Sequence, residues 1–158
     1  MYKHKIRLKE DLVSILDSVR ENNKKIVFTN GCFDLLHAGH IQYLNQARQL
    51  GDVLIVAVNS DRSVKALKGN NRPILPEQDR LVIIASLCFV NYVVLFDEDT
   101  PYDVISVLKP DILVKGGDYK PEDVVGKDIV EEYEGEVVII PYEENKSTTD
   151  IIEKIKEL

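Results

Sequence analysis

Two kinds of hydrophobic pattern alternate along this chain. Short apolar runs predict five strands, at residues 25–30, 52–59, 92–96, 112–115 and 135–142. Helical spacing of apolar residues, or helix start and stop signals, predicts helices at residues 8–21, 40–50, 76–88, 101–108 and 148–157. Strands that alternate with helices are typical of the α/β class, so we predict a doubly wound parallel five-stranded sheet.

Local signals predict where some of these elements begin and end. Gly51 is expected at the C-terminal cap of the second helix. Thr100, Pro101 and Asp103 have the order of a capping box and predict the start of the fourth helix. Residues 60–75 are predicted to form a polar loop with three cationic side chains, Lys65, Lys68 and Arg72.

Length and composition are those of an ordinary globular protein. The 158 residues, 44% hydrophobic and 30% charged, suit one domain over residues 1–158, with a helical extension (1–24) before the core (25–158). The net charge of −7 argues against a general nucleic-acid binder, which needs clustered Lys and Arg. We expect a cytoplasmic protein, because no apolar run approaches a membrane span and the N-terminus lacks the apolar core of a signal peptide.

Three loops that follow predicted strands contain small residues together with hydrogen-bond donors or charge. They read TNGCFDLLHAGH after the first strand, KGGDYK after the fourth and YEENKSTTD after the fifth. Ligands of open α/β sheets bind beyond the carboxyl ends of the strands, where loops lead into helix N-termini. The three loops therefore predict a binding site for a small molecule.

The first loop carries two of the three histidines of the chain, His37 and His40, on either side of Gly39. Three residues apart at a helix start, both side chains would project from one face beside unpaired backbone N–H groups, an arrangement suited to a polyphosphate. One alternative is ordinary packing of the histidines. A second is a zinc site made with Cys32 and Asp34, which would need four ligands aimed inward from a short segment. Cys32 could also be a nucleophile, although a thiol just after a buried strand is more often a core residue.

The other two loops have ordinary structural interpretations beside the functional ones. Lys115 to Asp118 (KGGD) could contact a base or sugar, or could form a common Gly-Asp turn. Ser147 to Asp150 (STTD) forms a capping box by itself, and the same hydroxyl and N–H groups could hold a phosphate. Four cationic side chains near the predicted 60–75 loop are either solvated charges or phosphate contacts: Lys65, Lys68, Arg72 and Arg80.

Several segments together resemble one enzyme family. GCFDLLHAGH and KSTTDII are similar to the HxGH and Ser/Thr-rich signatures of the nucleotidyltransferase superfamily. FTNGCFDLLHAGHIQYL, VAVNSD, LKG, RPILPEQDR, LVKGGDYKP and STTDII, in that order, resemble the D-glycero-β-D-manno-heptose 1-phosphate adenylyltransferases. Many relatives carry a ribokinase-like sugar kinase ahead of this domain, so the chain resembles the free-standing transferase. The glycerol-3-phosphate cytidylyltransferases also share GxFDLLHxGH and STT, but they tend to have Arg-Thr-Glu before STT, where Tyr142 follows Pro141 here.

The resemblance implies a Rossmann-like HxGH nucleotidyltransferase fold that transfers AMP from ATP to heptose 1-phosphate, with Mg²⁺ on the ATP phosphates. The implied catalytic residues are His37, His40, Lys68 and Arg80. The implied ATP-binding residues are Thr29, Asn30, Gly31, Cys32, Phe33, His37, Gly39, His40, Lys115, Gly117, Asp118, Ser147 and Thr148. Acceptor contacts are assigned to Asp34, Asn59, Asp61 and Arg72, and no protein metal ligand is predicted apart from the candidate Asp34.

Two other functions stay open at this point. A cytidylyltransferase would use CTP and a polyol phosphate with the same chemistry, and a non-catalytic module would bind a nucleotide without turnover. ATP and a sugar phosphate are the expected partners, with no nucleic acid and no membrane. A helix that flanks the sheet could also form a contact between two copies, so a homodimer is the predicted assembly.

Overall fold

A computed structural model describes residues 2–117, 119–141 and 147–158. The strands are β1 (Ile26–Gly31), β2 (Val53–Asn59), β3 (Tyr92–Phe96), β4 (Ile112–Gly116) and β5 (Glu136–Ile140). The α-helices are α1 (Lys9–Glu21), α2 (Ala38–Gln49), α3 (Asp61–Lys68), α4 (Glu77–Ser86), α5 (Tyr102–Leu108), α6 (Lys127–Glu132) and α7 (Thr148–Lys156). Short 3₁₀ turns span Tyr2–Lys5 and Pro121–Asp123.

The five strands form one parallel sheet in the order β3-β2-β1-β4-β5, which confirms the predicted architecture. β1 lies between β2 and β4, with Val27 opposite Leu54 on one side and Ile112 on the other. The strands β2 and β3 follow β1 on one side of it, and β4 and β5 are then added on its other side. The crevice beyond the carboxyl ends of β1 and β4 is therefore the topological switch point at which such sheets bind ligands.

Helices cover both faces of the sheet and enclose two apolar clusters. On one face, Leu12 and Leu16 of α1 are fully buried in the cluster that includes Phe28 of β1 and Leu108 of α5. On the other face, α2 and α4 pack residues such as Leu44 and Ile84 against the sheet. All seven residues of β2 are buried, which explains why its sequence is almost continuously apolar instead of alternating.

The prediction of a loop over residues 60–75 is wrong, because its first half forms α3. Ser60 caps this helix by accepting a hydrogen bond from the Ser63 backbone N–H at 3.0 Å. Only Ser63 and Val64 of the helix are buried, so a mostly exposed helix left little apolar periodicity to detect. The short helix α6 was not predicted either.

The predicted helix ends have mixed outcomes. Helix α5 has Pro101 at its N-cap without a side-chain hydrogen bond, so the predicted Thr100 capping box is wrong. Helix α7 begins as predicted, with the Ser147 hydroxyl accepting from the Asp150 backbone N–H at 3.0 Å. Helix α2 is capped by Leu50, and Gly51 instead lies against β1, where a Cβ would approach Val27 Cγ2 to 2.7 Å. Within the described ranges, no helix combines the length and the apolar character that crossing a membrane requires.

Candidate active site

A cavity of about 650 Å³ opens at the switch point between the carboxyl ends of β1 and β4. It brings together residues that are far apart in sequence, from the loops after all four of the strands β1 to β4 and from the start of α7. Most of the predicted site residues line it: Asn30, Gly31, Cys32, Phe33, Asp34, His37, Gly39, His40, Asn59, Lys68, Arg72, Lys115, Ser147 and Thr148.

Four predicted site residues lie outside the cavity lining. Thr29 is fully buried and hydrogen-bonded to the Tyr43 hydroxyl at 2.6 Å. The Gly117 backbone N–H donates to the Ile140 carbonyl at 3.0 Å. Asp61 and Arg80 form an ion pair with each other. The predictions for Asp118 and for residues 142–146 of the YEENKSTTD loop lie outside the described residues.

The two histidines are held side by side at the first turn of α2. His37 is the N-cap residue and His40 occupies the third helical position, with the two ring centroids 4.0 Å apart. The His37 backbone N–H donates to His40 Nδ1 at 3.4 Å. Because Nδ1 acts as the acceptor, the proton of a neutral His40 ring lies on Nε2.

His40 is neutral near pH 7. Burial, together with the charge of His37, lowers the pKa of His40 from 6.5 to about 4. A neutral ring with its proton on Nε2 is a hydrogen-bond donor fixed in orientation by the helix backbone. This donor lies at the positive dipole end of α2, where Gly39 lines the cavity without a side chain. The assembly can bind a polyphosphate.

This charge state predicts a pH dependence of stability. The unfolded chain takes up a proton on residue 40 near pH 6.5, whereas the folded chain does so only near pH 4, so the free energy of unfolding should fall as pH falls through this interval. Urea denaturation of the wild type and of His40→Asn at several pH values between 4 and 7 gives the slope of the unfolding free energy against pH. This slope should be smaller in the variant. His4→Asn, at an exposed histidine outside the cavity, is the matched control. Equal slopes in the wild type and His40→Asn would contradict the prediction.

Phe33 positions the His40 ring. Its own ring meets His40 edge-on, with centroids 5.8 Å apart and planes at 63°. The Phe33 backbone has a φ of +45°, a left-handed conformation that is uncommon for a bulky residue. A Cβ on Gly31 would lie 3.0 Å from the Phe33 ring, so the glycine in this sequence makes room for the turn.

Asp34 ties the loop after β1 to residues 72–75. Its carboxylate is nearly fully buried and accepts from Arg72 Nε at 2.7 Å and from the backbone N–H groups of Ile74 and Leu75 at 2.9 Å each. Burial alone would raise the pKa of Asp34, but the Leu75, Ile74 and Arg72 donors outweigh it and hold the pKa below its usual value. Both oxygens are already hydrogen-bonded, so the carboxylate does not fit a Mg²⁺ ion.

Arg80 also connects the loop after β1 to the residues before α4, from a buried position. Its side chain is fully buried and donates to the Leu75 carbonyl at 3.0 Å, to the Cys32 carbonyl at 2.6 Å and to Asp61 Oδ1 at 2.8 Å. The guanidinium thus joins the loop after β1, the start of α3 and the loop before α4. These contacts favour a positioning role, and the catalytic role expected from the sequence stays a prediction.

Among the described residues, three cationic side chains line the cavity itself, namely Lys68, Arg72 and Lys115. Lys115 Nζ lies 3.3 Å from Asn30 Oδ1, which joins the ends of β4 and β1, and burial lowers the pKa of this lysine. Burial also raises the pKa of Cys32, which keeps its thiol protonated and argues against a nucleophile. Thr148 Oγ1 donates to the Leu35 carbonyl at 3.1 Å and so attaches the start of α7 to the histidine loop.

The sequence interpretation missed several residues of the cavity wall: Tyr43, Leu67, Asp99, Thr100, Pro101, Tyr119 and Val125. Gly116 and Thr149 also line the cavity, within the KGGD and STTD segments that the sequence analysis had singled out. The rule about carboxyl ends of strands, applied also to the strand at residues 92–96, would have found Asp99 to Pro101. Leu67 was missed because α3 was taken for a loop. No group of three or more His, Cys, Asp and Glu suited to a metal ion occurs in the described part of the chain, so the zinc alternative has no support there.

Comparison with known proteins gives consistent matches. The family model described as cytidylyltransferase-like matches residues 28–154. The bifunctional protein HldE of Syntrophotalea carbinolica is 56% identical over 154 residues, which cover 98% of this chain and 31% of that protein. HldE of Campylobacter jejuni is 57% identical over 156 residues, which cover 99% of this chain and 32% of that protein. The chain therefore spans about a third of the length of the curated relatives it matches.

Two solved structures are similar as well. The lipopolysaccharide core biosynthesis protein from Thermoplasma volcanium is 31% identical, with a TM-score of 0.62 over 78% of this chain and 99% of that chain. The pantoate-beta-alanine ligase from Francisella tularensis, solved with beta-gamma ATP and beta-alanine, has a TM-score of 0.64 over 97% of this chain and 78% of that chain. Its sequence identity of 20% makes this second likeness one of fold alone.

Proposed function

Because this chain belongs to the cytidylyltransferase-like family, we propose that it transfers AMP from ATP to D-glycero-β-D-manno-heptose 1-phosphate, releasing ADP-heptose and pyrophosphate. The observation that carries the proposal is the pair of histidine rings, 4.0 Å apart, at the start of α2 in the switch-point cavity. The identity of 56–57% with HldE proteins over nearly the whole chain supports the choice of acceptor. The similar Thermoplasma volcanium protein is a lipopolysaccharide core biosynthesis protein, which also agrees with this acceptor.

The proposed reaction needs no covalent intermediate on the protein. A phosphate oxygen of the sugar 1-phosphate attacks the α-phosphorus of ATP, and the bond between that phosphorus and the α,β-bridging oxygen breaks in line. The electron pair leaves with pyrophosphate. Neutral His40 donates a hydrogen bond from Nε2 to the phosphate oxygens on which charge increases, and His37 lies beside it.

The remaining cavity residues position the two substrates. Lys68, Arg72 and Lys115 offset the negative charge of the triphosphate and the sugar phosphate. Ser147 and Thr148 present a helix N-terminus to the far end of the triphosphate. Mg²⁺ enters as part of the substrate MgATP, since such an ion is held mainly by phosphates and water.

A panel of nucleotides and acceptors tests this function. Incubation with ATP and heptose 1-phosphate should give a product with the mass of ADP-heptose, at a rate at least about tenfold above that with CTP or with glycerol 3-phosphate, since a lost polar contact in a site costs that much or more. Faster turnover of CTP with glycerol 3-phosphate would favour the cytidylyltransferase alternative. Binding of ATP without pyrophosphate release for every acceptor would favour the non-catalytic module.

Two further expectations concern the location and the assembly of the enzyme. We expect the enzyme to act in the cytoplasm, where ATP and sugar phosphates are available. We also expect a homodimer, which analytical ultracentrifugation would detect directly.

A further inference from the structure

The cavity wall contains one carboxylate that the proposed chemistry has not used. Among the described residues that line the cavity, the acidic side chains are Asp34 and Asp99. The Asp34 carboxylate already accepts hydrogen bonds from Arg72 and from two backbone N–H groups. Asp99 is largely exposed, at 86%, and its nearest cationic partner is Arg62, whose Nη1 lies 3.9 Å from Asp99 Oδ1. That separation is longer than a hydrogen bond, so the Asp99 oxygens can still accept from a ligand.

The chemistry of this part of the wall differs from that of the rest. A carboxylate repels phosphate groups but accepts strong hydrogen bonds from hydroxyls. Thr100, the next residue in the chain, lines the same wall, and Asn59 lies at the end of the neighbouring strand β2. A sugar with several hydroxyls, unlike a triphosphate, matches such a surface.

Position in the sheet separates this surface from the side expected to hold the nucleotide. Asp99 follows β3, whereas Lys115 ends β4 and Ser147 follows β5. In the order β3-β2-β1-β4-β5 these lie on opposite sides of β1, which leads to the histidines. Since neighbouring strands are about 4.8 Å apart, β3 is roughly 10 Å from β1, a distance that a heptose attached to a central phosphate can span.

The loop that carries Asp99 makes charged contacts on both sides. Arg62 Nε lies 2.8 Å from Asp97 Oδ2, and the Ser60 hydroxyl also donates to the Asp97 carboxylate. Lys9 of α1 pairs with Glu98 at 3.3 Å and with Asp103 at the start of α5. A wall held in place before binding can select a ligand by its hydroxyl pattern.

We propose that Asp99, together with the adjacent Thr100 hydroxyl, binds hydroxyl groups of the sugar phosphate acceptor and selects a polyhydroxylated acceptor over a simple phosphate. This inference rests on the proposed function and assigns its acceptor subsite. Asp99 is then a specificity-determining residue that touches the substrate away from the reacting phosphorus.

Steady-state kinetics of Asp99→Ala, Asp99→Asn and Thr100→Val test the subsite, with pyrophosphate release as the readout. Asp99→Ala should raise the KM for heptose 1-phosphate about tenfold or more, since a hydrogen bond to a charged group is lost, and should leave the KM for ATP within about twofold. Asp99→Asn keeps an acceptor oxygen and should have a smaller effect, and Thr100→Val a smaller effect still. Asp17→Asn, at an exposed carboxylate of α1 that does not line the cavity, is the matched control.

The outcomes separate this inference from the function on which it rests. If the wild type forms no nucleotide sugar from any sugar 1-phosphate, the proposed function fails, and the acceptor subsite fails with it. If the wild type forms ADP-heptose and Asp99→Ala leaves the acceptor KM unchanged, only the subsite assignment is overturned. A rise in the KM for ATP with an unchanged acceptor KM would assign Asp99 to the ribose of the nucleotide and would also overturn it.

Discussion

Replacement of His40 by alanine is expected to reduce kcat for pyrophosphate release by about a hundredfold to a thousandfold. Removal of one preorganised donor that stabilises charge in a transition state typically costs about 2.7–4 kcal/mol. His40 meets the conditions for such a donor, because its Nδ1 accepts from the His37 backbone and its low pKa keeps the ring neutral with a proton on Nε2. The measurement is kcat with ATP and heptose 1-phosphate at saturation, near pH 7.5.

Two further variants make this result interpretable. His4→Ala removes the exposed histidine near the N-terminus and should leave kcat unchanged. His37→Ala combined with His40→Ala should cost less than the sum of the two single effects in free energy, because the two rings lie 4.0 Å apart and act on one substrate. A folded His40→Ala protein with the wild-type kcat would remove this side chain from the mechanism.

Replacement of Arg80 by methionine is expected to lower the free energy of unfolding by about 3 kcal/mol or more. The guanidinium is fully buried and is the hydrogen-bond partner of the Cys32 and Leu75 carbonyls and of Asp61. Methionine fills much of the volume but leaves these acceptors without their donors, and breaking a buried ion pair in this way typically costs about 3–5 kcal/mol. Asp61 is partly exposed and can be rehydrated, which places the expected value at the lower end of that range.

Arg62→Met is the matched control for this measurement. Arg62 also forms an ion pair, with Asp97 at 2.8 Å, but both side chains are 60% exposed. An exposed pair of this kind is worth at most about 1 kcal/mol, so urea denaturation should distinguish the two variants clearly. Similar losses of stability in Arg80→Met and Arg62→Met would show that the buried contacts of Arg80 do not brace the fold.

The placement of His37 and His40 side by side at a helix start was predictable because its determinants are local. His37, Gly39 and His40 lie in one helix start after a buried strand, and neighbours in sequence at such a position are also neighbours in space. The parallel sheet was predictable for a similar reason, since each strand and helix carries its own apolar period. The resemblance to a nucleotidyltransferase family rested on the same contiguous motifs, and the match of the family model to residues 28–154 confirms it at the level of the family.

Long-range contacts were not predictable in the same way. The partners of Asp34 lie 38 to 41 residues away, and those of Arg80 lie up to 48 residues away, and both sets include backbone groups that any sequence would offer. Arg80 was expected in the catalytic set because a cationic side chain suits phosphate, but packing of α4 buries it beneath the cavity. Asp99 went unnoticed because the rule about the carboxyl ends of strands was not applied to the strand at residues 92–96, whose loop meets those of β1 and β4 only in the folded cavity.

The amino-acid sequence by itself therefore determined the order of strands and helices, the parallel sheet and the histidine-bearing helix start, because periodicity and capping act over a few residues. Only the tertiary structure decided which charged side chains face the cavity and which form hydrogen bonds and ion pairs that hold its loops together. The physical reason is that the environment of a charged group depends on desolvation and on partners brought from distant segments, and these exist only once the sheet and its helices have packed.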